Sequence, residues 1–198
     1  MIKFNLDWPR KNLSESLLSS VLQTQRLLIK APESADYPLW FAVRKNNEKF
    51  LKPYEPEWPK DCLSKSFFER RLKRQAEERS AGRGAFFLIH HKVTGNIIGG
   101  VNLNNIQMGA AHHATLGYWI DENHQGKGYM RESVHCLIDY SFETLKLRRL
   151  NAACLIDNDR SINMLLRLGF EEEGYAKKYL QINGHWQDHR LFGLCCNT

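Results

Sequence analysis

The chain has 198 residues, 42% hydrophobic and 25% charged, with a net charge of +6. That length supports one sizeable core rather than two ordinary domains, and the composition excludes collagenous, fibrous and intrinsically disordered classes. The best apolar run, Ala85–Ile89, is five residues long, against about 20 for a bilayer-spanning helix. Between residues 13 and 22 the leucines are interrupted by serines and Glu15, so no secretory h-region is read and a cytoplasmic chain is expected. The five cysteines are odd in number and have neither zinc spacing nor C-x-x-C, so reduced core thiols and no metal are expected. The positive balance favours an anionic partner: nucleic acid, a ribosomal surface or a phosphorylated cofactor.

Residues 1–23 have weak helical periodicity and read as an N-terminal extension, with one domain over 24–198. Thr24–Lys30 reads as a strand, and Ser34 or Asp36 can cap a helix running to about Asn46. Three prolines between Pro53 and Pro59 force an irregular loop, which carries Tyr54 and Trp58. Asp61 is expected to open a second helix, with Leu63, Phe67, Phe68, Leu72 and Ala76 on its apolar side. Its other face carries Lys65, Arg70, Lys73, Arg74 and Arg79, and it ends at Gly82. Ala85–His91, Ile97–Asn104 and Ala114–Ile120 read as strands.

From Gly128 the period becomes helical, with Met130, Val134, Leu137, Ile138 and Phe142 on one face. Leu150–Ile156 is the next strand. Strand, helix, strand over 114–156 is a crossover unit, so those two strands should be parallel. Asn158 or Asp159 can cap a short helix ended by Gly169. Phe170–Ile182 and Trp186–Leu194 are joined by Asn183-Gly184, a strong two-residue hairpin signal. The fold class is therefore α/β, a mixed sheet with helices on both faces.

The chemistry concentrates at Gln125-Gly126-Lys127-Gly128-Tyr129-Met130, between a strand end and a helix start. Two glycines let the backbone bend so that several N–H groups point outward, and the helix terminus behind them adds partial positive charge. Such a cradle suits a pyrophosphate. It is neither a Walker loop nor a dinucleotide fingerprint, both of which need other glycine spacings.

With Leu116-Gly117-Tyr118-Trp119-Ile120 before it, and Asn158, Ser161 and Leu168-Gly169-Phe170 after it, this segment resembles the GNAT acyltransferase superfamily. Thr24-Gln25-Arg26-Leu27, Phe50-Leu51-Lys52-Pro53-Tyr54-Glu55-Pro56, Gly174-Tyr175-Ala176-Lys177 and Asn183-Gly184-His185-Trp186-Gln187-Asp188-His189 are similar to the Rim group of ribosomal-protein alanine N-acetyltransferases, its RimJ-like branch in particular. The resemblance implies the GNAT fold, a mostly antiparallel sheet with one splayed parallel pair, and acetyl-CoA as co-substrate with its pantetheine arm in the splay. The implied contacts are Tyr118, Trp119 and Ile120 on the strand, Gln125 to Met130 in the cradle, and Asn158, expected to hold a pantetheine amide. Asn123 stands where the superfamily has Gln or Arg.

Many relatives carry a tyrosine general acid where this chain has Leu165, so Ser161, which matches a serine near the thiol, is the candidate proton donor to sulfur. Where some amino-terminal acetyltransferases carry a basic glutamate, this chain has Ala153. Glu55, His113 and Asp188 are left as candidate bases, acting through water. Backbone N–H groups near Trp119 and Ile120 are candidates for oxyanion stabilisation. A chain-terminal α-amine has a pKa of about 7.7 to 8.0, whereas lysine titrates near about 10.4, so an α-amine acceptor needs less help from a base. No cysteine sits in a nucleophile constellation, which favours direct attack on the thioester. By resemblance the acceptor is the N-terminal alanine of a small-subunit ribosomal protein, the fifth, and the ribosome surface is a partner. The alternatives are acetylation of a small amine such as an antibiotic or polyamine, and a non-catalytic ribosome- or RNA-associated protein using the basic face over 65–79.

Overall fold

The computed structural model describes residues 21–196, so most of the expected N-terminal extension lies outside the described residues. Eight strands form one sheet in the order β1-β2-β3-β4-β5-β6-β8-β7. They are β1 (Val21–Gln23), β2 (Leu27–Lys30), β3 (Ala85–His91), β4 (Ile97–Gln107), β5 (His113–Ile120), β6 (Arg149–Leu155), β7 (Glu171–Ile182) and β8 (His185–Cys195). Every neighbouring pair is antiparallel except β5 and β6. That exception is what the crossover pattern requires, because a helix carries the chain back to the starting end of the sheet.

Helices lie on both faces and seal two apolar clusters. On one face α4 (Tyr129–Asp139) and α5 (Asp159–Arg167) bury Val134, Leu137, Ile162 and Leu165 against Leu27, Ile29, Ile98, Leu103 and Leu150. On the other, α1 (Tyr37–Asn46) and α3 (Lys65–Ser80) bring Trp40 and Phe68 onto Leu88 and Ile97. Trp40 and Phe68 pack with ring centroids 4.8 Å apart. A short helix α2 (Glu48–Leu51) and a single 3-10 turn, Lys52–Tyr54, lead into the proline loop.

Local boundaries depart from the sequence reading where side chains compete for the same job. Thr24–Arg26 is a turn rather than strand, because Thr24 Oγ1 accepts from the Leu27 amide. Asp61 does not cap α3: it pairs with Arg70 in solvent, while the Ser64 hydroxyl accepts from the Phe67 amide at 3.1 Å. Arg79, assigned to the solvated face, is buried and donates to the Phe86 carbonyl, and Ala76, assigned to the apolar side, is exposed. After α4 the helix loosens into a π turn over Tyr140–Thr144, with the Ser141 hydroxyl bonded back to the Leu137 carbonyl at 2.6 Å. Of the five cysteines only Cys154 is in the core, and Cys195 is exposed. No helix of the described residues is long and apolar enough to cross a membrane.

Asn183 and Gly184 both take positive φ, 46° and 80°. This is the backbone that a two-residue hairpin turn with right-handed strand twist demands. The β7–β8 ribbon runs past the last β6 partner, Leu155 opposite His189, and projects beyond the sheet. Its tip returns to the proline loop, where the Asn183 amide donates to the Glu55 carbonyl at 2.8 Å.

Candidate active site

The parallel ladder between β5 and β6 lasts only from His113 opposite Arg149 to Thr115 opposite Asn151. Beyond Thr115 the strands part, and residues 116–120 keep β4 as their only partner while 152–155 keep β8. A V-shaped notch opens between two strand edges. The Asp121 amide donates to the Ile98 carbonyl on β4. The two-residue alternation of an antiparallel ladder therefore turns the Trp119 amide to β4 as well, and the amides of Tyr118 and Ile120 into the notch.

At the open end lies the glycine segment. Gly126 and Gly128 have φ of 70° and 80°, and Gly128 is the N-cap of α4 with no side chain capping it. The first amides of a helix have no partner within it, so those at the start of α4 are available to an anion, in a region of positive partial charge. A Cβ built at Gly126 meets nothing within 4 Å. The glycine is needed there for backbone conformation alone.

The cradle is clamped from behind by residues distant in sequence. Arg26, in the β1–β2 turn, donates to the Lys127 carbonyl at 3.0 Å, pairs with Glu132 at 2.6 Å and lies 4.3 Å over the Tyr129 ring. Glu132 also accepts from Thr24 Oγ1 and from the Arg26 amide. The Tyr129 hydroxyl meets His91 Nε2 at 3.2 Å. On the strand side, Asn47 accepts from the Glu122 amide at 2.8 Å and donates to Asp121 at 2.7 Å, and Asp121 holds His124. Arg160, exposed on α5, donates to the Gln125 side chain.

Inside the notch, the Tyr118 hydroxyl and Ser161 Oγ are 2.8 Å apart, with the Cys154 thiol against both. Burial, reinforced by Cys154, pushes the Tyr118 phenol well above its ordinary range, and burial also pushes the Cys154 thiol up. Both stay protonated at neutral pH. Asn158 is the N-cap of α5, accepting from the Ser161 amide at 3.2 Å through its side-chain oxygen.

A family model described as an acetyltransferase (GNAT) domain matches residues 26–171. The chain belongs to the GNAT acetyltransferase family. It is 36% identical over 173 residues to the [Ribosomal protein uS5]-alanine N-acetyltransferase of Escherichia coli, covering 87% of this chain and 89% of that protein. Among solved structures it is similar to a ribosomal-protein-S5-alanine acetyltransferase from Vibrio fischeri, with a TM-score of 0.84, 31% identity, and coverage of 90% of this chain and 98% of that one. It is also similar to Mycobacterium smegmatis RimJ in complex with CoA-disulfide, with a TM-score of 0.83, 25% identity, and coverage of 89% and 86%.

Within this GNAT scaffold the three candidate bases do not converge. Both oxygens of Glu55 are bound by Arg44, at 2.7 and 2.5 Å, and one also accepts from the Trp58 indole. His113 stands at the closed end of the notch, bonded to Asn151. It is five residues from Tyr118 and on the opposite face, a separation of about 16 Å along the strand. Asp188 sits in the projecting ribbon, where it accepts from Tyr175 and from the Lys178 amide at the β7 bulge. Those hydrogen bonds hold its carboxyl below the ordinary range. Asn123 is exposed in a single 3-10 turn. Among the described residues no three His, Cys, Asp or Glu side chains gather into a metal-holding group.

Sequence reading missed Arg26 and Glu132 as a cradle clamp and Asn47 as a brace. Their partners lie up to 108 residues away, and nothing local marks such contacts. Burial pulls the Glu132 carboxyl upward, but the hydrogen bonds from Thr24 and Arg26 outweigh it and leave the group below its ordinary value. A carboxyl depressed on folding stabilises the protein above the ordinary carboxylate range, and that contribution is lost as pH falls through it to the depressed value. Glu132→Gln should therefore lower stability by about 1 to 3 kcal/mol at neutral pH, and the gap should close toward pH 3. Urea midpoints of both proteins across that range check it, and a gap independent of pH contradicts the ionised clamp.

Proposed function

We propose that this GNAT acetyltransferase transfers acetyl from acetyl-CoA to the N-terminal α-amine of a ribosomal protein, with the terminal alanine of small-subunit protein S5 as acceptor. The observation that carries the transfer chemistry is the parallel pair released after Thr115, facing an uncapped helix terminus at its open end. The choice of acceptor is supported by the two S5-alanine acetyltransferases similar to this chain over most of their length. Bound acetyl-CoA supplies an activated thioester. The cradle amides from Lys127 to Met130 would hold its pyrophosphate, aided by the exposed Lys127 ammonium. Asn158 would take a pantetheine amide, and the Ile120 and Tyr118 amides, already aimed into the notch, would stabilise developing oxyanion charge.

The acceptor nitrogen forms the new C–N bond as the C–S bond breaks. Ser161 donates its proton to the departing sulfur and recovers one, through water, from the acceptor nitrogen, so no protein group is left charged. The Tyr118 hydroxyl, kept protonated by burial, donates a hydrogen bond across 2.8 Å that stabilises the serine oxygen while its proton moves. On the acceptor side, on the order of a tenth of an α-amine with pKa 7.7 to 8.0 is already neutral at pH 7. Water can take up the remaining proton load, consistent with Glu55, His113 and Asp188 being engaged elsewhere.

Three outcomes are expected. Gly128→Val, which places a β-branched residue at φ 80°, should weaken acetyl-CoA binding by at least about tenfold, or about 1.4 kcal/mol, in titration calorimetry. Unchanged affinity rules out the cradle. Ser161→Ala should lower kcat by about tenfold or more with the acceptor KM nearly constant, because the interaction is made as the thiolate leaves. A normal kcat leaves Ser161 as a helix hydroxyl only. Peptides differing only in the first residue should react in the order Ala, then Ser and Gly, with Leu and Phe excluded. A small apolar pocket discriminates single methylenes by about 1 to 3 kcal/mol and excludes larger groups by clash. Equal turnover of Leu- and Ala-initiated peptides, or turnover of free amines only, overturns the acceptor assignment.

A further inference from the structure

On the α1–α3 face one partly buried cation, Arg71, has no anionic partner among the described residues. Two cavities adjoin there, sharing Trp40 and Arg71 as walls. One lies between α1, α3 and the sheet and reaches Gln75, Asn102 and Trp119; the other lies between α1, α3 and the proline loop and reaches Glu55, Glu57 and Trp58. Arg71 stands between them and makes no hydrogen bond or ion pair among the described residues. Its guanidinium is so desolvated, with Arg44 adding repulsion, that its pKa is lowered to about 10.

The charges around it do not supply a partner. Arg44 and Arg74 are both cationic, and Glu55, the nearest carboxylate, is saturated by the bidentate Arg44 pair and the Trp58 indole. Glu57 is exposed on the rim, near the hairpin Gly184. Beside Arg71, the Gln75 side-chain oxygen is buried and unbonded, an acceptor with no donor. A partly buried guanidinium without a counter-ion and a buried acceptor without a donor are both unfavourable. A ligand carboxylate would satisfy the first, and the cavity beside Gln75, about 20 Å³, has room for a single water that would link its oxygen to a ligand N–H. The first cavity adjoins the notch: Trp119, which lines it, directly precedes Ile120.

We propose that Arg71 and Gln75 form an acceptor subsite, in which Arg71 binds an Asp or Glu side chain lying within a few residues of the reacting α-amine and Gln75 accepts a peptide N–H through one water. This rests on the peptide-acetyltransferase reading and narrows it: the acceptor is an N-terminal peptide carrying an early acidic residue. A guanidinium fits a carboxylate in two-point geometry. Lysine at the same place offers only a point charge.

The test uses the full chain, acetyl-CoA and Ala-initiated peptides in pairs, with Glu or Gln at position two, three or four. At least one Glu peptide should exceed its Gln counterpart in kcat/KM by about tenfold or more, mainly through KM. That ratio should fall close to one in Arg71→Gln and recover in part in Arg71→Lys, with calorimetric acetyl-CoA binding confirming that each variant is folded. If Arg71→Gln does not fold, a ratio below that of the wild type in Arg71→Lys supports the subsite, and an unchanged ratio there overturns it. Ratios near one at all three positions in the wild type overturn the subsite while leaving peptide acetylation standing, as does a ratio that survives in Arg71→Gln. Turnover of no peptide, with acetyl-CoA still bound, removes the peptide reading and the subsite together.

Discussion

The structure turns on a backbone constraint. Two neighbouring parallel strands in a protein interior normally exchange hydrogen bonds along their length, because buried N–H and C=O groups left unpaired are costly. β5 and β6 do this for three residue pairs and then stop. The polar edges exposed beyond Thr115 are tolerable only if something else satisfies them, whether water or the amide-bearing arm of a cofactor. The surrounding architecture holds the strands apart: each is fixed on its outer side by a full antiparallel ladder, β4 for β5 and β8 for β6. Tyr118 on β5 and Ser161 on α5 join the two sides of the gap by a hydrogen bond between side chains, where the strands themselves exchange none.

Holding a gap open also requires anchoring the loop at its mouth. The glycine turn has little side-chain packing of its own, and its two positive-φ residues make it conformationally permissive. Its geometry is imposed by Arg26 and Glu132 from below and by Asn47, Asp121 and His124 from the strand end. Arg26 serves four contacts at once: a carboxylate, a carbonyl, the Tyr129 ring, and through its own amide the same carboxylate again. The antiparallel β1–β2 edge, which looks peripheral, thus reaches the glycine turn at the mouth of the notch by delivering that residue.

What was legible in the sequence was whatever depends on neighbours in the chain. Asn183-Gly184 specified a hairpin because its backbone needs two positive φ values, and Gly126-Lys127-Gly128 before an amphipathic stretch marked the cradle for the same kind of reason. The crossover over 114–156 followed from the change of period at Gly128. Long-range partner choice was not legible. Glu55 and Asp188 looked like candidate bases because each is a carboxylate in a segment that carries the Rim-group resemblance, and no glutamate stands at Ala153. The fold instead gives Glu55 to Arg44 and Asp188 to Tyr175 and the Lys178 amide. Asp61 and Ser64 show the same limit over three residues: either could cap α3, and Arg70, reachable only once the helix exists, takes Asp61 away.

The tight packing at Trp119 ties the two sides of the reaction together. A Cβ at Gly99 would lie 2.5 Å from the Trp119 carbonyl, and one at Gly100 would lie 2.5 Å from its indole nitrogen, so β4 approaches β5 as closely as backbone allows. The Arg44 guanidinium lies over the Trp119 ring, 5.0 Å from its centroid, and that arginine is itself pinned by Glu55 and covered by Trp58 at 4.2 Å. Displacing the proline loop therefore cannot leave Arg44 and Trp119 untouched, and Trp119 has no slack toward β4. Since Ile120 follows directly and turns its amide into the notch, the position of that amide is linked through Trp119, Arg44 and Glu55 to the proline loop. Interiors packed to crystal-like density transmit displacement in this way.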